Sequence, residues 1–171
     1  LAALYEISAF VARAETLDEL AQGFAAKLRR VSAADAVAIR WSDESNARYL
    51  MLAQDGLPAA LVDDEQCLPS GGCHCGLPTA TPGARVVPIH ADPRTATRCH
   101  AAGFALLVAV PVMLHQRVLG EINLFYREDA KRGDDERALV EALAHHLAGG
   151  IGGLRAPAAA KEAAVSHERA L

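Results

Sequence analysis

The stretch Leu106 to Glu128, LLVAVPVMLHQRVLGEINLFYRE, decides the fold class. The run from Phe104 to Val112 is largely apolar, which suits a central strand buried on both faces. His115-Gln116 supplies a turn, and Val118 to Tyr126 returns with period two. Leu119, Glu121, Asn123 and Phe125 share one face; Val118, Gly120, Ile122, Leu124 and Tyr126 share the other.

Working outward, Asp134 or Asp135 caps a final helix with apolar positions Val140, Leu143, Leu147, Ile151 and Leu154. Upstream, Asp92-Pro93 fits a helix start; that helix carries Cys99 and stops at Gly103. Arg85 to Ile89 reads as an edge strand because of Pro88. Cys67 to Gly83 has loop composition, and Leu57 to Glu65 forms a short helix after Pro58. Ala36 to Trp41 and Arg48 to Gln54 make a hairpin. At the front, Leu1, Leu4, Ile7 and Val11 mark one helix; Thr16-x-x-Glu19 is a capping box that opens a second. The order predicts an α+β fold, an antiparallel sheet with helices on its faces and the N- and C-terminal helices packed together.

The chain has 171 residues, one domain with helical extensions, and 51% hydrophobic content against 5% aromatic gives an aliphatic core. Seventeen basic against 21 acidic residues leave a net charge of −4, and no basic block exceeds Arg29-Arg30, which argues against a nucleic-acid partner. Phe104 to Leu114, the longest apolar run, is too short to span a bilayer. No basic n-region precedes Tyr5 and Glu6, so no signal peptide is expected. The start at Leu1 suggests a soluble piece of a longer protein.

By element order and by the paired strands quoted above, the chain resembles a GAF domain from about Thr16 to Arg155. The exit helix DDERALVEALAHHLAGGIGGLR adds to the likeness. A narrower similarity lies in LAALYEISAFVARAETLDELA at the front, the cysteine cluster, and HERAL at the end. These resemble the cytoplasmic central module of nitrate/nitrite-responsive sensor histidine kinases. The resemblance implies residues 1–15 as a signalling helix, 16–155 as the GAF domain, and 156–171 as a linker into a dimerisation and phosphoacceptor helix. It also implies a parent anchored in the inner membrane with this module on the cytoplasmic side. ATP and a response regulator would belong to the kinase part, outside this stretch, and the module itself would have no catalytic residue. A homodimer through the terminal helices is expected, because the seam of Leu1, Leu4, Ile7 and Val11 has little else to cover it. Gly149, Gly150, Gly152 and Gly153 depart from the family pattern: either the exit helix is soft there or another backbone packs closely.

The candidate functional loop is CLPSGGCHCG, Cys67 to Gly76, with Cys99 and His100 following later. Its Cys67-x5-Cys73-x-Cys75 spacing matches neither the paired C-x2-C of zinc fingers nor the usual iron–sulfur runs. A metal would draw on Cys67, Cys73, Cys75 and Cys99, with His74 or His100 as alternates. A reversible disulfide among the same cysteines, or packed thiols with no chemistry, are the other readings. Free methionine-R-sulfoxide reductases are GAF-fold thiol enzymes with a similar outline, and they form the alternative function, beside a small-ligand or metal-binding GAF sensor. The carboxylates with which that family holds the substrate amine fall here on Ala105 and on Asn123-Leu124-Phe125. An ammonium would then be buried unpaired, at considerable cost. His145-His146 reads as a solvated or packed pair, Trp41 as core, and Asp92 as an N-cap beside His90. Arg94 and Arg98 share a helix face suited to ion pairing.

Overall fold

The computed structural model describes residues 2–43, 45, 47–69, 83–89, 98–129 and 132–170, with the backbone alone for 67–69 and 155–170. Eleven elements follow in order: α1 (Ala2–Arg13), α2 (Leu17–Ser32), β1 (Ala36–Ser42), β2 (Arg48–Asp55), α3 (Ala59–Asp64), β3 (Cys67–Pro69), β4 (Arg85–Pro88), α4 (Arg98–Ala101), β5 (Leu106–Leu114), β6 (Arg117–Tyr126) and α5 (Asp134–Ala170). The strands form one six-stranded sheet in the order β3-β2-β1-β6-β5-β4, every pair antiparallel. This is the α+β architecture expected from the sequence.

The β5–β6 hairpin turns at His115 and Gln116, both with positive φ, 51° and 65°. Two left-handed residues make the tight turn whose twist matches the flanking strands. The fold thus accepts two non-glycine residues in the left-handed region to keep the register Leu114↔Arg117. Thr16 caps α2 as expected, accepting from the Glu19 backbone N–H at 3.1 Å. The Glu19 carboxylate reaches one residue further back than a standard box, to the Glu15 N–H at 3.4 Å. Helix α5 starts at Asp134, so Asp134 and Asp135 sit in its first turn rather than at the cap, where their charge favours the helix dipole.

Two apolar layers enclose the sheet. On one side α1, α2 and α5 bury Ile7, Leu20, Phe24, Leu28, Leu143, Leu147 and Ile151 against Val37, Ile39, Val108, Val110, Ile122 and Leu124. On the other, α3 and α4 bury Leu57, Leu61, Cys99 and Phe104 against Ala36, Ala38, Leu107 and Phe125. Period-two alternation along β1 feeds both layers, Ala36 and Ala38 to one and Val37 and Ile39 to the other.

Two expectations change. Cys67–Pro69, where loop composition predicts no strand, forms β3; its three residues include a proline and lie on the sheet edge, too short to show any period. The described part of the helix expected around Cys99 is Arg98–Ala101; Asp92 and Pro93, its expected start, and Arg94 lie outside the described residues. The apolar seam of α1 is not left open: Ile7 and Val11 are buried against α2 and α5 within the same chain. Residues 156–170, within the expected linker 156–171, have a helical backbone continuous with α5.

The glycines of α5 explain how α1 docks. A Cβ on Gly150 would lie 2.6 Å from Val11 Cγ1, and one on Gly152 would collide with Leu114 Cδ2. On α2, a Cβ on Gly23 would collide with the ring of Phe10. Side chains of α1 and β5 therefore seat in holes that only glycine leaves, so the close packing is by side chains and not by a second backbone. Gly149 and Gly153 have nothing within 4 Å of an added Cβ. Gly150→Ala is expected to destabilise by about 1–3 kcal/mol through overpacking. Gly149→Ala and Gly153→Ala should each stabilise by about 0.5–1 kcal/mol, since only backbone entropy changes. Urea unfolding of the three variants checks this contrast in sign.

Candidate functional site

Among the described residues, five polar or charged side chains are buried: Arg40, Ser42, Glu65, Glu121 and Asn123. All lie on or beside the sheet face that packs α3 and α4, and four of them join a single network. The strands place them there by alternation. Arg40 continues the Ala36, Ala38 face of β1, and Asn123 and Glu121 continue the Phe125 face of β6. A bulge between Ile39 and Arg40 on the β2 side shifts the pairing so that Arg40 faces Met51. Gly120 opposite Trp41 lets β6 approach, because a Cβ there would strike the Arg40 carbonyl.

The Arg40 guanidinium has no solvent exposure and uses three nitrogens. Nε donates to Asn123 Oδ1 at 2.7 Å, Nη1 to the Glu65 carbonyl at 2.9 Å, and Nη2 to Glu65 Oε2 at 2.8 Å. Asn123 Nδ2 donates onward to Glu121 Oε1 at 2.6 Å, and Arg85 Nη2 reaches Glu121 Oε2 from β4 at 3.2 Å. The chain Glu65–Arg40–Asn123–Glu121–Arg85 therefore crosses the sheet from the α3–β3 turn to the β4 edge. Its two arginines balance its two carboxylates. Tyr49 sits beside it on β2, fully buried. Burial pushes the Tyr49 hydroxyl above its usual value, the Glu121 charge adds to this, and a hydrogen bond with Ser42 partly offsets both.

The turn that holds Glu65 also anchors its neighbours. Met51 N–H donates to the Gln66 carbonyl at 2.8 Å, and Arg98 Nη1 on α4 donates to the Asp64 carbonyl at 3.0 Å. Residues 64–67 thus tie the central sheet, the helix bearing Cys99, and the strand bearing Cys67 at one point.

The sequence-derived candidates fare unevenly. Cys99 is buried in the apolar layer with Leu61, Ile89, Phe104 and Leu107. Cys67 lies in β3, while Cys73, His74, Cys75 and His90 fall outside the described residues. His100 is exposed on α4. Among the described residues no group of three or more His, Cys, Asp or Glu side chains is placed to hold a metal ion. Among the described residues Arg98 bonds the Asp64 carbonyl, and Asp92, an expected ion-pair partner, lies outside them. His145 and His146 are exposed on α5 with ring centroids 6.5 Å apart, and Trp41 packs on the core, as expected for both. Phe125 lies against Phe104, ring centroids 5.3 Å apart, and Ala105 is half-buried. Sequence reasoning missed Arg40, Glu65 and Tyr49. The available signal was a lone arginine inside the apolar strand AVAIRW, which demands a buried partner.

This architecture is that of an α+β module with one antiparallel sheet between two apolar layers. The GAF-domain profile matches residues 16–151, and the chain belongs to that family. Solved structures of the same fold include the GAF domain of a phosphoenolpyruvate-protein phosphotransferase from Coxiella burnetii (23% identity, 92% of this chain and 95% of that one, TM-score 0.79). The free methionine-R-sulfoxide reductase from Neisseria meningitidis, solved with its substrate, is 20% identical over 90% of this chain and 89% of that one, TM-score 0.75. A domain assigned to a two-component sensor histidine kinase from Sinorhizobium meliloti is 18% identical over 86% and 99%, TM-score 0.71. No curated protein matches the chain. Among the described residues no helix is long and apolar enough to cross a membrane.

Two outcomes test the site. Arg40→Leu leaves the Glu65 carboxylate buried without its partner and should cost about 3–5 kcal/mol. The double variant Arg40→Leu/Glu65→Leu should recover part of that loss, and a double-mutant cycle by urea unfolding measures the coupling. Tyr49 and Tyr126 both hold their protons more tightly than a free tyrosine, burial being the first cause in each. The unfolded chain releases those protons near pH 10 while the native state keeps them, so stability falls as pH rises above about 10. Tyr49→Phe/Tyr126→Phe should flatten the decline of Tm between pH 9.5 and 11.

Proposed function

We propose that this chain is a regulatory GAF module of a membrane-bound, nitrate/nitrite-type sensor histidine kinase, acting on the cytoplasmic side of the inner membrane. It relays a signal entering through α1 to an exit through α5. The observation that carries this reading is the direct seating of Val11 of α1 on Gly150 of α5, within the helical layer opposite the buried polar network. A displacement of α1 is thereby felt by α5 without passing through a loop. The fold it shares with the sensor-kinase domain from Sinorhizobium meliloti is consistent with this role. Pairing with a second copy uses the outer side of α1, where Tyr5 is 78% exposed, and not the apolar seam. ATP and the response regulator belong to the kinase core of the parent. The cysteines around the loop serve as a redox or metal element that modulates the relay.

The thiol-reductase reading has less support. Both oxygens of Glu121 are engaged by Asn123 and Arg85, and the position expected to carry the last acid is the buried Phe125. A substrate ammonium would compete with an arginine already in place.

The test uses the parent kinase in membranes. Val11→Ala removes the contact without overpacking and should change autophosphorylation from ATP by at least about five-fold, a coupling of ordinary allosteric size. An unchanged rate with normal expression would sink the relay. Dithiol-dependent reduction of free methionine-R-sulfoxide by the chain itself would replace it with the enzyme reading. Thiol counting and metal analysis, anaerobic and after oxidation, decide the cysteine role; four free thiols and no metal in both states would remove it.

A further inference from the structure

Helix α5 spans 37 residues, about 55 Å at the usual rise, and its middle holds five poor helix formers in nine positions: Gly149, Gly150, Gly152, Gly153 and Pro157. They divide into two groups with different causes. Gly150 and Gly152 are required by packing, since Val11, Leu20 and Leu114 fill the space a side chain would need. Gly149 and Gly153 meet open space and answer no packing demand. Pro157 lies four residues beyond Gly153. A proline inside a helix has no N–H for the carbonyl four residues back, and its ring pushes that carbonyl aside. The lost hydrogen bond therefore falls on Gly153, a glycine at which an added Cβ would meet nothing within 4 Å.

We propose that α5 is two mechanically separate helices joined by a flexure at Gly153–Pro157: an anchored half, Asp134 to Gly152, clamped by α1, α2 and β5, and an outer half that swivels on it. The clamp and the flexure are adjacent, so the last fixed point is the seat of Leu114 at Gly152. Any output through α5 is then a change in the angle or population of the outer half, not the turning of a rod. The proposal concerns this chain alone and holds whether or not the parent is a kinase.

Amide hydrogen exchange by mass spectrometry on the whole chain tests it. In the native sequence, amides 154–161 should exchange at least about ten-fold faster than amides 140–148. In Gly149→Ala/Gly153→Ala/Pro157→Ala, whose added methyls at 149 and 153 enter open space, protection should spread continuously from the anchored half through residue 161. Uniform protection across α5 in the native chain would overturn the flexure. So would fast exchange at 154–161 that the triple variant fails to slow, because the outer half would then be unwound for reasons other than these residues.

Discussion

The constraint on which the rest depends is a guanidinium with no access to water. The guanidinium offers only donors and accepts no hydrogen bond, so a buried arginine needs acceptors around it. Buried at the middle of β1, Arg40 must be met by acceptors from outside its own strand. Glu65 comes from the α3–β3 turn, Asn123 from β6, and the Asn123 amide then requires Glu121, which requires Arg85 from β4. Each link satisfies the group the previous one left open. The network therefore specifies the positions of one turn and two strands more strictly than apolar packing would. A buried ion pair contributes little net stability compared with an apolar replacement, but it penalises every arrangement in which a partner is misplaced.

That network also bears on chemistry. A carboxylate held by an asparagine and an arginine offers a substrate cation little, and the apolar half of the same face, Leu61, Phe104, Leu107 and Phe125, offers no charge at all. The face is better suited to holding the cysteine-bearing elements in place. Arg98 and Arg40 both donate to backbone carbonyls of residues 64 and 65, one from α4 and one from the sheet. The turn between α3 and β3 is thereby tied both to α4 and to the centre of the sheet.

On the opposite face the controlling feature is the absence of side chains. Phe10 over Gly23 and Val11 over Gly150 bring α1 close to α2 and α5. Lys27 lies over the Phe10 ring at 5.2 Å and pairs with Glu6 at 3.5 Å, closing the rim of the contact. Glycine lowers the intrinsic stability of both helices, and tertiary packing offsets it, as is usual for helices in folded domains. The helical layer is thus tightly packed where α1 touches it, at Gly150, and meets open space at Gly149 and Gly153.

Local chemistry alone carried much of the fold. The alternation of β6, the Thr16 cap, the His115-Gln116 turn and the apolar periods of α2 and α5 are short-range patterns, readable because each depends on neighbours a few residues away. The three-residue strand β3 was not readable, since its only cause is pairing with Leu50 and its neighbours on β2. The seam of α1 looked uncovered for the same kind of reason: its cover is Gly150, some 140 residues away in sequence, and a glycine is recognised as a seat only once the side chain that fills it is in place. Arg40 and Glu121 were visible as charges in apolar strands, but which carboxylate answers which arginine is a matter of sheet order and register. Sequence determined every longer element and the composition of both faces; only the tertiary structure decided β3 and the partners, because burial makes each charge depend on groups that the chain brings together from distant positions.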